Sequence, residues 1–280
     1  MAISVVTNVS SLNAQRNLNR TQNAMGKSFQ RLSSGMRINQ GADDAAGLAI
    51  SEKLKSQIRS MNQARRNAND GISLLQTAEG AMNEVSGILT RMRELAIQSS
   101  TDTVGSVERS FIQGELGALR DEIDRLSEVT EFNGTKLLDG SASGLDFQVG
   151  INATTNDRIT AQLGDMHATS LGSGGASNLD SVNLGTITGA RRALGILDDA
   201  ITDISRSRSD IGALQNRMQT TIANLASAAE NLTAANSRIR DVDVAEESAN
   251  LTKNNILMQA GVSVLAQANQ SPSIALSLLG

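Results

Sequence analysis

This sequence of 280 residues lacks cysteine, tryptophan and tyrosine, and it has only one histidine, one proline and four phenylalanines. Without cysteine, the chain has no disulfide, thiolate zinc site, iron–sulfur cluster or cysteine nucleophile. Because His167 is the only imidazole, a metal site built from several histidines is excluded as well. The core must be aliphatic, because Phe29, Phe111, Phe132 and Phe147 are the only aromatic side chains.

Charge is also modest, with 25 Lys and Arg against 29 Asp and Glu and a formal net charge of −4. A nucleic-acid binder needs a basic stripe or aromatic stacking platforms, so we expect no nucleic acid as a partner. The sequence has no zinc-protease, P-loop or dinucleotide motif. His167 stands in a Gly/Ser/Thr-rich loop, where we expect it to be exposed and not catalytic. The composition favours an assembly protein that is no enzyme and holds no cofactor or metal.

From the two ends of the sequence we expect neither a leader peptide nor a membrane span. The first ten residues have no positive charge and no sustained apolar run, which argues against a cleavable signal peptide. Residues 254–280 carry no charge, but Pro272 splits them and Gln, Asn and Ser interrupt their apolar residues. A spanning helix needs about 20 mainly apolar residues. This segment is therefore predicted to be a helix buried against other protein.

Apolar residues recur every seven positions in two long stretches. The first row is Leu54, Met61, Ala68, Leu75, Met82, Leu89 and Ala96. The second row is Ala190, Leu197, Ile204, Ile211, Met218, Leu225, Leu232 and Ile239. Such rows are the seams of long amphipathic helices, predicted over 43–100 and 187–239, with a shorter helix over 106–129 between them. The fold class is therefore mainly α, a long antiparallel helical bundle or coiled coil. Asp43 and Asp44 suit the start of the first long helix, because short carboxylates cap free N–H groups.

The segment 132–186 differs from the helical stretches. Asn133-Gly134 and Asp139-Gly140 are turn dipeptides, residues 145–149 alternate apolar and polar side chains, and residues 159–163 are a candidate partner strand. The Gly-rich residues 172–175 are typical of a loop. The sequence therefore predicts a small β-hairpin and loop region folded against the helices.

Both ends of the chain are predicted to be helical, yet neither has a core of its own. A break at 33–41 separates the first tail from the long helix, and Asp241 and Asp243 are suited to cap the last helix. The candidate assembly residues lie on apolar faces of these tails: Val9, Leu12, Phe29, Ile256, Leu257, Val264 and Leu265. We expect the tails to pair with each other and with neighbouring copies. The predicted domains are thus an inner coiled-coil domain, 1–42 plus 241–280, and a rod domain, 43–240.

Several motifs follow one another in a defined order. They are SLNAQRNL at 11–18, RLSSGMRIN at 31–39, DDAAGLAI at 43–50, RNANDGISLLQTAEG at 66–80, RMRELAIQ at 91–98, TEFNGTKLL at 130–138 and RIRDVDVAE at 238–246, with closing runs at 267–270 and 276–279. This ordered set resembles the bacterial flagellins. Few residues separate Thr135 from Gly185, so the chain is similar to a short flagellin that lacks the variable outer domains of most members.

The resemblance implies a structural subunit that polymerises with itself into the extracellular flagellar filament for swimming motility. It also implies secretion through the flagellar secretion apparatus, with an export chaperone and the filament cap as further partners. A hook–filament junction protein is the alternative function. A cytosolic coiled-coil scaffold explains the seven-residue repeat but leaves the ordered motifs unexplained.

The resemblance further implies Toll-like receptor 5 as a partner. The matching positions are Arg91 and Leu95 on the first long helix and Glu115 on the next helix. Since Arg91 and Leu95 are four residues apart, they share a helix face, where we expect an exposed guanidinium fork beside an apolar anchor. The same side chains are alternatively contacts with a neighbouring subunit of the filament.

Overall fold

The computed structural model describes residues 7–172 and 177–277. The chain forms two compact units, which we call the terminal unit (Met1–Ile58 with Glu230–Gly280) and the central unit (Arg59–Ala229). The described residues form five α-helices: α1 Val9–Ser34, α2 Ala45–Ser99, α3 Ser106–Val129, α4 Ile187–Arg240 and α5 Val244–Ser277. The mainly α fold class is confirmed. Of the loop predicted over 172–175 only Gly172 is described, and the closing run is described only as far as Ser277.

Asp43 and Asp44, the two acidic residues before α2, make different hydrogen bonds. Asp44 caps the helix, because its Oδ1 accepts the backbone N–H of Gly47 at 2.9 Å. Asp43 shapes the preceding loop instead, since its Oδ2 accepts the N–H groups of Asn39 at 3.3 Å and Gln40 at 3.2 Å. These two backbone hydrogen bonds, that of Asn39 foremost, hold the pKa of Asp43 below its usual value.

A similar division precedes α5. The Asp243 Oδ1 accepts the N–H groups of Ala245 at 2.9 Å and Glu246 at 3.2 Å, and so caps the helix. Asp241 does not cap α5, because its carboxylate accepts the hydroxyl of Ser237 at 2.6 Å. The expected split of the C-terminal segment at Pro272 is wrong: α5 continues past it to Ser277, although proline donates no hydrogen bond to the preceding turn.

Two small antiparallel hairpins follow α3. In the first, β1 (Glu131–Phe132) pairs with β2 (Thr135–Lys136), and the predicted turn dipeptide has φ values of 51° at Asn133 and 77° at Gly134. Positive φ at both positions is the requirement of a type I′ turn. In the second, β3 (Ser143–Gln148) pairs with β4 (Arg158–Gln162). The predicted hairpin region is confirmed.

The central unit has one continuous aliphatic core. From Ala68 to Ala96 every member of the first seven-residue row is buried, and the larger members Leu75, Met82 and Leu89 are completely enclosed. The α3 side chains Ile112, Leu116 and Ile123 and the α4 row from Ala190 to Met218 close the same core. Phe132 and Phe147 are half-buried against it, whereas Phe29 and Phe111 are exposed.

The second hairpin contacts α2 through a hydrogen bond and through close packing. The Asn67 side-chain amide donates to the carbonyl oxygen of Gln148 at 3.0 Å. One turn further on, Gly71 is buried beneath the ring of Phe147 and the side chain of Met218 from α4. Because glycine has no side chain, the strand and both helices approach closely here.

Candidate functional site

In the terminal unit, α1 and α5 pack against each other in antiparallel fashion. At one end, the Asn8 amide donates to the carbonyl oxygen of Ala268 at 2.7 Å, and Ser11 Oγ donates to Asn269 Oδ1, also at 2.7 Å. At the other end, Arg31 Nη1 lies 3.4 Å from the buried carboxylate of Glu247. Between these ends, the pair packs closely enough that a methyl group on Gly261 would lie 3.3 Å from Leu18.

This pair buries few side chains. Within the described helix Val9–Ser34, Ser28 is the single buried residue. Six of the seven predicted assembly residues have between 47% and 68% of their surface exposed: Val9, Leu12, Phe29, Ile256, Leu257 and Val264. Leu265 is half-buried. These side chains give the two helices a large exposed apolar surface.

Two further exposed apolar residues of α5 were not singled out from the sequence. Val244 and Val262 are exposed to a similar degree as the predicted residues. The sequence of α5 could have indicated them, because its apolar residues are spread over several faces of the helix and do not form a single stripe. The apolar surface of α5 therefore extends beyond one stripe.

The linkers before α2 and before α5 form what we call the linker clasp, residues 35–37 and 240–242. The Arg37 N–H donates to the carbonyl oxygen of Arg240 at 2.7 Å, and the Val242 N–H donates to that of Gly35 at 3.1 Å. Met36 and Asp241 thus form an antiparallel β-bridge. Gly35 makes this turn possible, because its φ of 69° lies in the left-handed region that glycine adopts at the end of a helix.

The side chain of Arg240 reinforces the clasp. Its Nη1 lies 2.6 Å from Glu52 Oε1 on α2, and its Nε donates to the sulfur of Met36 at 3.1 Å. The guanidinium of Arg37 in turn donates to the carbonyl oxygen of Ile239 at 2.7 Å, near the end of α4. The ends of four helices of the terminal unit are therefore held together by backbone pairing and two arginines.

The predicted receptor positions in the central unit are only partly exposed. Arg91 Nη2 and Nε lie 2.9 Å and 3.0 Å from Glu115 Oε1, and Nη1 lies 3.0 Å from Glu94 Oε2. These hydrogen bonds, that of Glu94 first, raise the pKa of Arg91 further above its usual value. Arg91 and Glu115 therefore form an exposed ion pair between α2 and α3.

Leu95 does not share this exposure. It is 1% exposed and belongs to the aliphatic core, so the expectation of an apolar anchor on the surface is wrong. Residues four apart differ by about 40° around a helix axis, which is enough to turn Leu95 inward beside Met92 and Ala96. The signal was present in the sequence, because Met92, Leu95, Ala96 and Ser99 follow the spacing of a buried stripe, and all four are buried.

The expectation that His167 is exposed is also wrong. Its side chain is 22% exposed, and its ring lies between the carboxylates of Asp165 and Glu128. The hydroxyl of the buried Ser127 lies near the same ring nitrogen as Asp165 and donates to the carbonyl oxygen of Leu138 at 2.5 Å. In a serine–histidine–carboxylate triad the serine hydroxyl donates to the imidazole. The Ser127 hydroxyl donates to Leu138 instead, so these side chains are not arranged as a triad.

Within residues 7–172 and 177–277, no group of three or more histidine or acidic side chains is arranged to hold a metal ion. No helix of the described part has the length and apolarity that crossing a membrane requires.

Comparison with known proteins agrees with this architecture. The bacterial flagellin N-terminal helical region matches residues 5–143, and the bacterial flagellin C-terminal helical region matches residues 194–279. The chain is 46% identical to flagellin of Bacillus subtilis and 45% identical to flagellin of Halalkalibacterium halodurans, over 97% of its own length and 98% of each relative. The structure of a putative flagellar hook-associated protein from Vibrio parahaemolyticus superposes with a TM-score of 0.61, covering 71% of this chain and 100% of that one. At 15% identity, this likeness shows the fold alone.

The long helices and the uncovered apolar surface of α1 and α5 define a helical assembly subunit. The chain belongs to the bacterial flagellin family. It is a structural subunit of the bacterial flagellar filament, and such a subunit is not an enzyme. None of the matches favours the hook–filament junction alternative.

Proposed function

We propose that the exposed apolar faces of α1 and α5 are the surfaces through which this flagellin polymerises. The observation that carries the proposal is the set of six large apolar side chains that are about half exposed or more in the single chain. Full burial of one such side chain is worth about 1.5–3 kcal/mol. Contact between different faces of successive copies produces an open helical polymer when the rotation between copies does not close into a ring.

The chargeless stretch of α5 supports the same proposal. No charged residue occurs from Asn254 to the end of the chain. Its apolar side chains, among them Ile256, Leu257 and Val264, are therefore covered by a neighbour without the cost of removing an ion from water. The interface that we propose is held together by apolar burial and by uncharged polar groups.

Seeded polymerisation of the purified full-length chain tests this proposal. We expect Leu257→Gln or Phe29→Ser to raise the critical concentration strongly, because each removes an exposed apolar contact and leaves the monomer core intact. The matched control is Lys253→Gln, an exposed polar change on α5, one turn from Leu257. If all three variants polymerise like the wild type while their far-UV circular dichroism is unchanged, the α1–α5 surface is not the assembly surface.

Amide exchange gives a second test of the same surface. In the monomer α1 has a single buried residue, so its amides have little tertiary packing to protect them. We expect exchange in α1 and α5 to be much slower in the polymer than in the monomer. Equal protection in both states contradicts the proposal.

We also propose the division into an inner domain, 1–42 plus 241–280, and a rod domain, 43–240. The ends of the helices support this boundary, because α1 ends at Ser34 and α2 begins at Ala45, and α4 ends at Arg240 before α5 begins at Val244. Limited proteolysis of the monomer should remove the tails first and leave a resistant fragment near 43–240. A first cleavage inside the central unit would contradict the division.

For localisation and partners, we propose export through the flagellar secretion apparatus to the extracellular filament, with an export chaperone and the filament cap as partners. The support is family membership. A strain that lacks the flagellar export gate should retain the chain inside the cell. Secretion of the chain from such a strain contradicts this route.

We further propose that the exposed Arg91–Glu115 ion pair is the part of the predicted receptor site that Toll-like receptor 5 contacts. A reporter assay with monomeric protein should show weaker signalling for Arg91→Ala and Glu115→Ala. Leu95→Ala is a poor probe, because a buried leucine replaced by alanine costs about 2–5 kcal/mol of stability by itself. Wild-type signalling by both surface variants contradicts this contact.

A further inference from the structure

The segment that follows β4, residues 164–171, is attached both to the loop after β2 and to the C-terminal half of α3. In that loop, the carbonyl oxygen of Leu138 accepts the Met166 N–H at 2.9 Å. The Ala168 N–H donates to Asp124 Oδ1 at 2.8 Å. Met166, Ala168 and Leu171 are buried, so His167 is held between two buried neighbours and its ring has a defined position.

That position places a carboxylate at each nitrogen of the ring. Nδ1 lies 2.6 Å from Asp165 Oδ1, and Nε2 lies 3.4 Å from Glu128 Oε1. Only the imidazolium has an N–H at both nitrogens. Deprotonation therefore leaves one ring nitrogen with a lone pair directed at a carboxylate, and one of the two contacts between ring and carboxylate becomes repulsive.

The other charges around the ring are unequal. Asp124 on α3 adds a third carboxylate, and the last turn of α3 presents the negative end of the helix dipole. Lys136 on β2 opposes them, since its ammonium is bound to the second oxygen of Glu128. The hydrogen bond with Glu128 raises the pKa of Lys136, with further contributions from Asp139 and Glu131. The charged groups around His167 therefore have a negative net charge.

The direction of titration follows from these contacts. The hydrogen bond with Asp165 raises the pKa of His167 above 6.5, with further contributions from Glu128 and Asp124. Lys136 first and His167 second lower the pKa of Glu128. Burial opposes ionisation of Asp165, but hydrogen bonds from Ser170 and His167 leave its pKa lowered. Both carboxylates thus stay ionised while the imidazole titrates.

We propose that His167 is a pH-sensitive latch, whose imidazolium fastens residues 164–171 to α3 by bridging Asp165 and Glu128 and whose deprotonation loosens that segment. A group with a raised folded-state pKa contributes stability that is fully present below its unfolded-state pKa. This contribution is lost as the pH rises through the folded-state pKa. The central unit is therefore less stable in mildly alkaline than in mildly acidic solution.

The first experiment is a titration of the full-length chain by NMR. Because His167 is the only histidine, its ring resonance needs no assignment by mutation. We expect a midpoint above that of a free histidine, and a lower midpoint in Glu128→Gln. A midpoint at or below that of free histidine overturns the latch, and so does a midpoint that Glu128→Gln does not move.

The second experiment measures whether titration changes stability. Urea unfolding of the wild type and of His167→Gln is compared below and above the measured midpoint. Each pH unit by which the folded midpoint exceeds the unfolded one changes the unfolding equilibrium constant by about tenfold across the titration. We expect the ratio of the unfolding equilibrium constants of His167→Gln and the wild type to shrink by that factor above the midpoint. A ratio that is equal below and above the midpoint overturns the proposal.

A third measurement locates the effect. In the wild type, the amides of Met166 and Ala168 should exchange faster above the His167 midpoint than below it. Both rates are first corrected for the intrinsic dependence of exchange on pH. Amides of the α2 core, such as that of Leu89, serve as the internal control. An equal increase in exchange rate at residues 164–171 and in the α2 core contradicts a latch that acts only on residues 164–171.

Discussion

Replacement of Gly71 by alanine tests how the second hairpin is seated on α2. Gly71 is buried where β3 and α4 meet the backbone of α2. A methyl group there would lie 2.9 Å from Phe147 Cδ1 and 3.1 Å from Met218 Cε. The flexible methionine end can turn aside, but the phenyl ring belongs to a strand that is also held by the Asn67 hydrogen bond. Either the ring or the strand must therefore move.

The magnitude follows from two opposing effects. Alanine in a helix interior is more stable than glycine by about 0.5–1 kcal/mol, whereas overpacking a filled site costs about 1–3 kcal/mol. Gly87 in the same helix is the matched control, because a methyl group there has no heavy atom within 4 Å. Both variants gain the same backbone contribution. The difference between them therefore isolates the steric cost, about 1–3 kcal/mol.

Urea unfolding of the full-length chain, followed by far-UV circular dichroism, measures both variants. We expect Gly87→Ala to be more stable than the wild type, and Gly71→Ala to be the least stable of the three proteins. The Phe147 ring resonances should shift in Gly71→Ala alone. Equal stabilisation by the two substitutions would refute the close packing of the hairpin on α2.

Three further predictions concern caps, the clasp and acid pH. Asp44→Ala should lower the free energy of unfolding by about 0.5–2 kcal/mol, since it removes the cap of α2, and a urea titration that shows no loss would contradict this role. Arg240→Met should speed amide exchange at Arg37 and Val242, while the control Arg238→Met, at an exposed position one half-turn earlier, should leave it unchanged. Asp43 has a lowered pKa, so its stabilisation is present above the unfolded-state pKa and lost as the pH falls through the folded-state value. Asp43→Asn should therefore weaken the acid dependence of stability, and an unchanged acid limb of the pH–stability curve would contradict this assignment.

Most of the helical architecture was predictable from the sequence because its signals are local. The seven-residue rows predict long helices wherever apolar side chains recur at a helical period. The Asn133-Gly134 dipeptide predicts a hairpin turn, since both residues tolerate positive φ. Asp44 and Asp243 cap the helices that they precede. Each of these signals acts within a few residues along the chain.

The candidate assembly surface was predictable for a different reason. Val9, Leu12, Phe29 and Ile256 form apolar faces on the tail helices, and half or more of each side chain stays exposed. Because the sequence predicts terminal helices without a core of their own, it also predicts that the apolar side chains of these helices are exposed. It does not predict the linker clasp, because the pairing of Arg37 with Arg240 joins residues far apart in the sequence.

Two side chains lie where neither the family resemblance nor the local composition placed them. Leu95 was expected beside Arg91 on the surface, but the spacing of Met92, Leu95 and Ala96 indicates a buried stripe, and Leu95 belongs to the aliphatic core. His167 was expected in an open loop, but Glu128 lies on α3 and reaches it only in the folded chain. This partner of His167 cannot be identified from local composition.

By itself, the sequence determined that this flagellin is an aliphatic, helical chain without disulfides and with apolar tails. Propensity, seven-residue repeats and turn dipeptides are properties of short stretches, and they act before any tertiary contact exists. Only the tertiary structure decided which polar groups meet. Packing of α3 against the hairpins places a carboxylate on each side of the single imidazole, and the linker clasp brings two arginines to the ends of four helices. These pairings depend on long-range contacts, whose geometry is set by how the faces of the helices fit together.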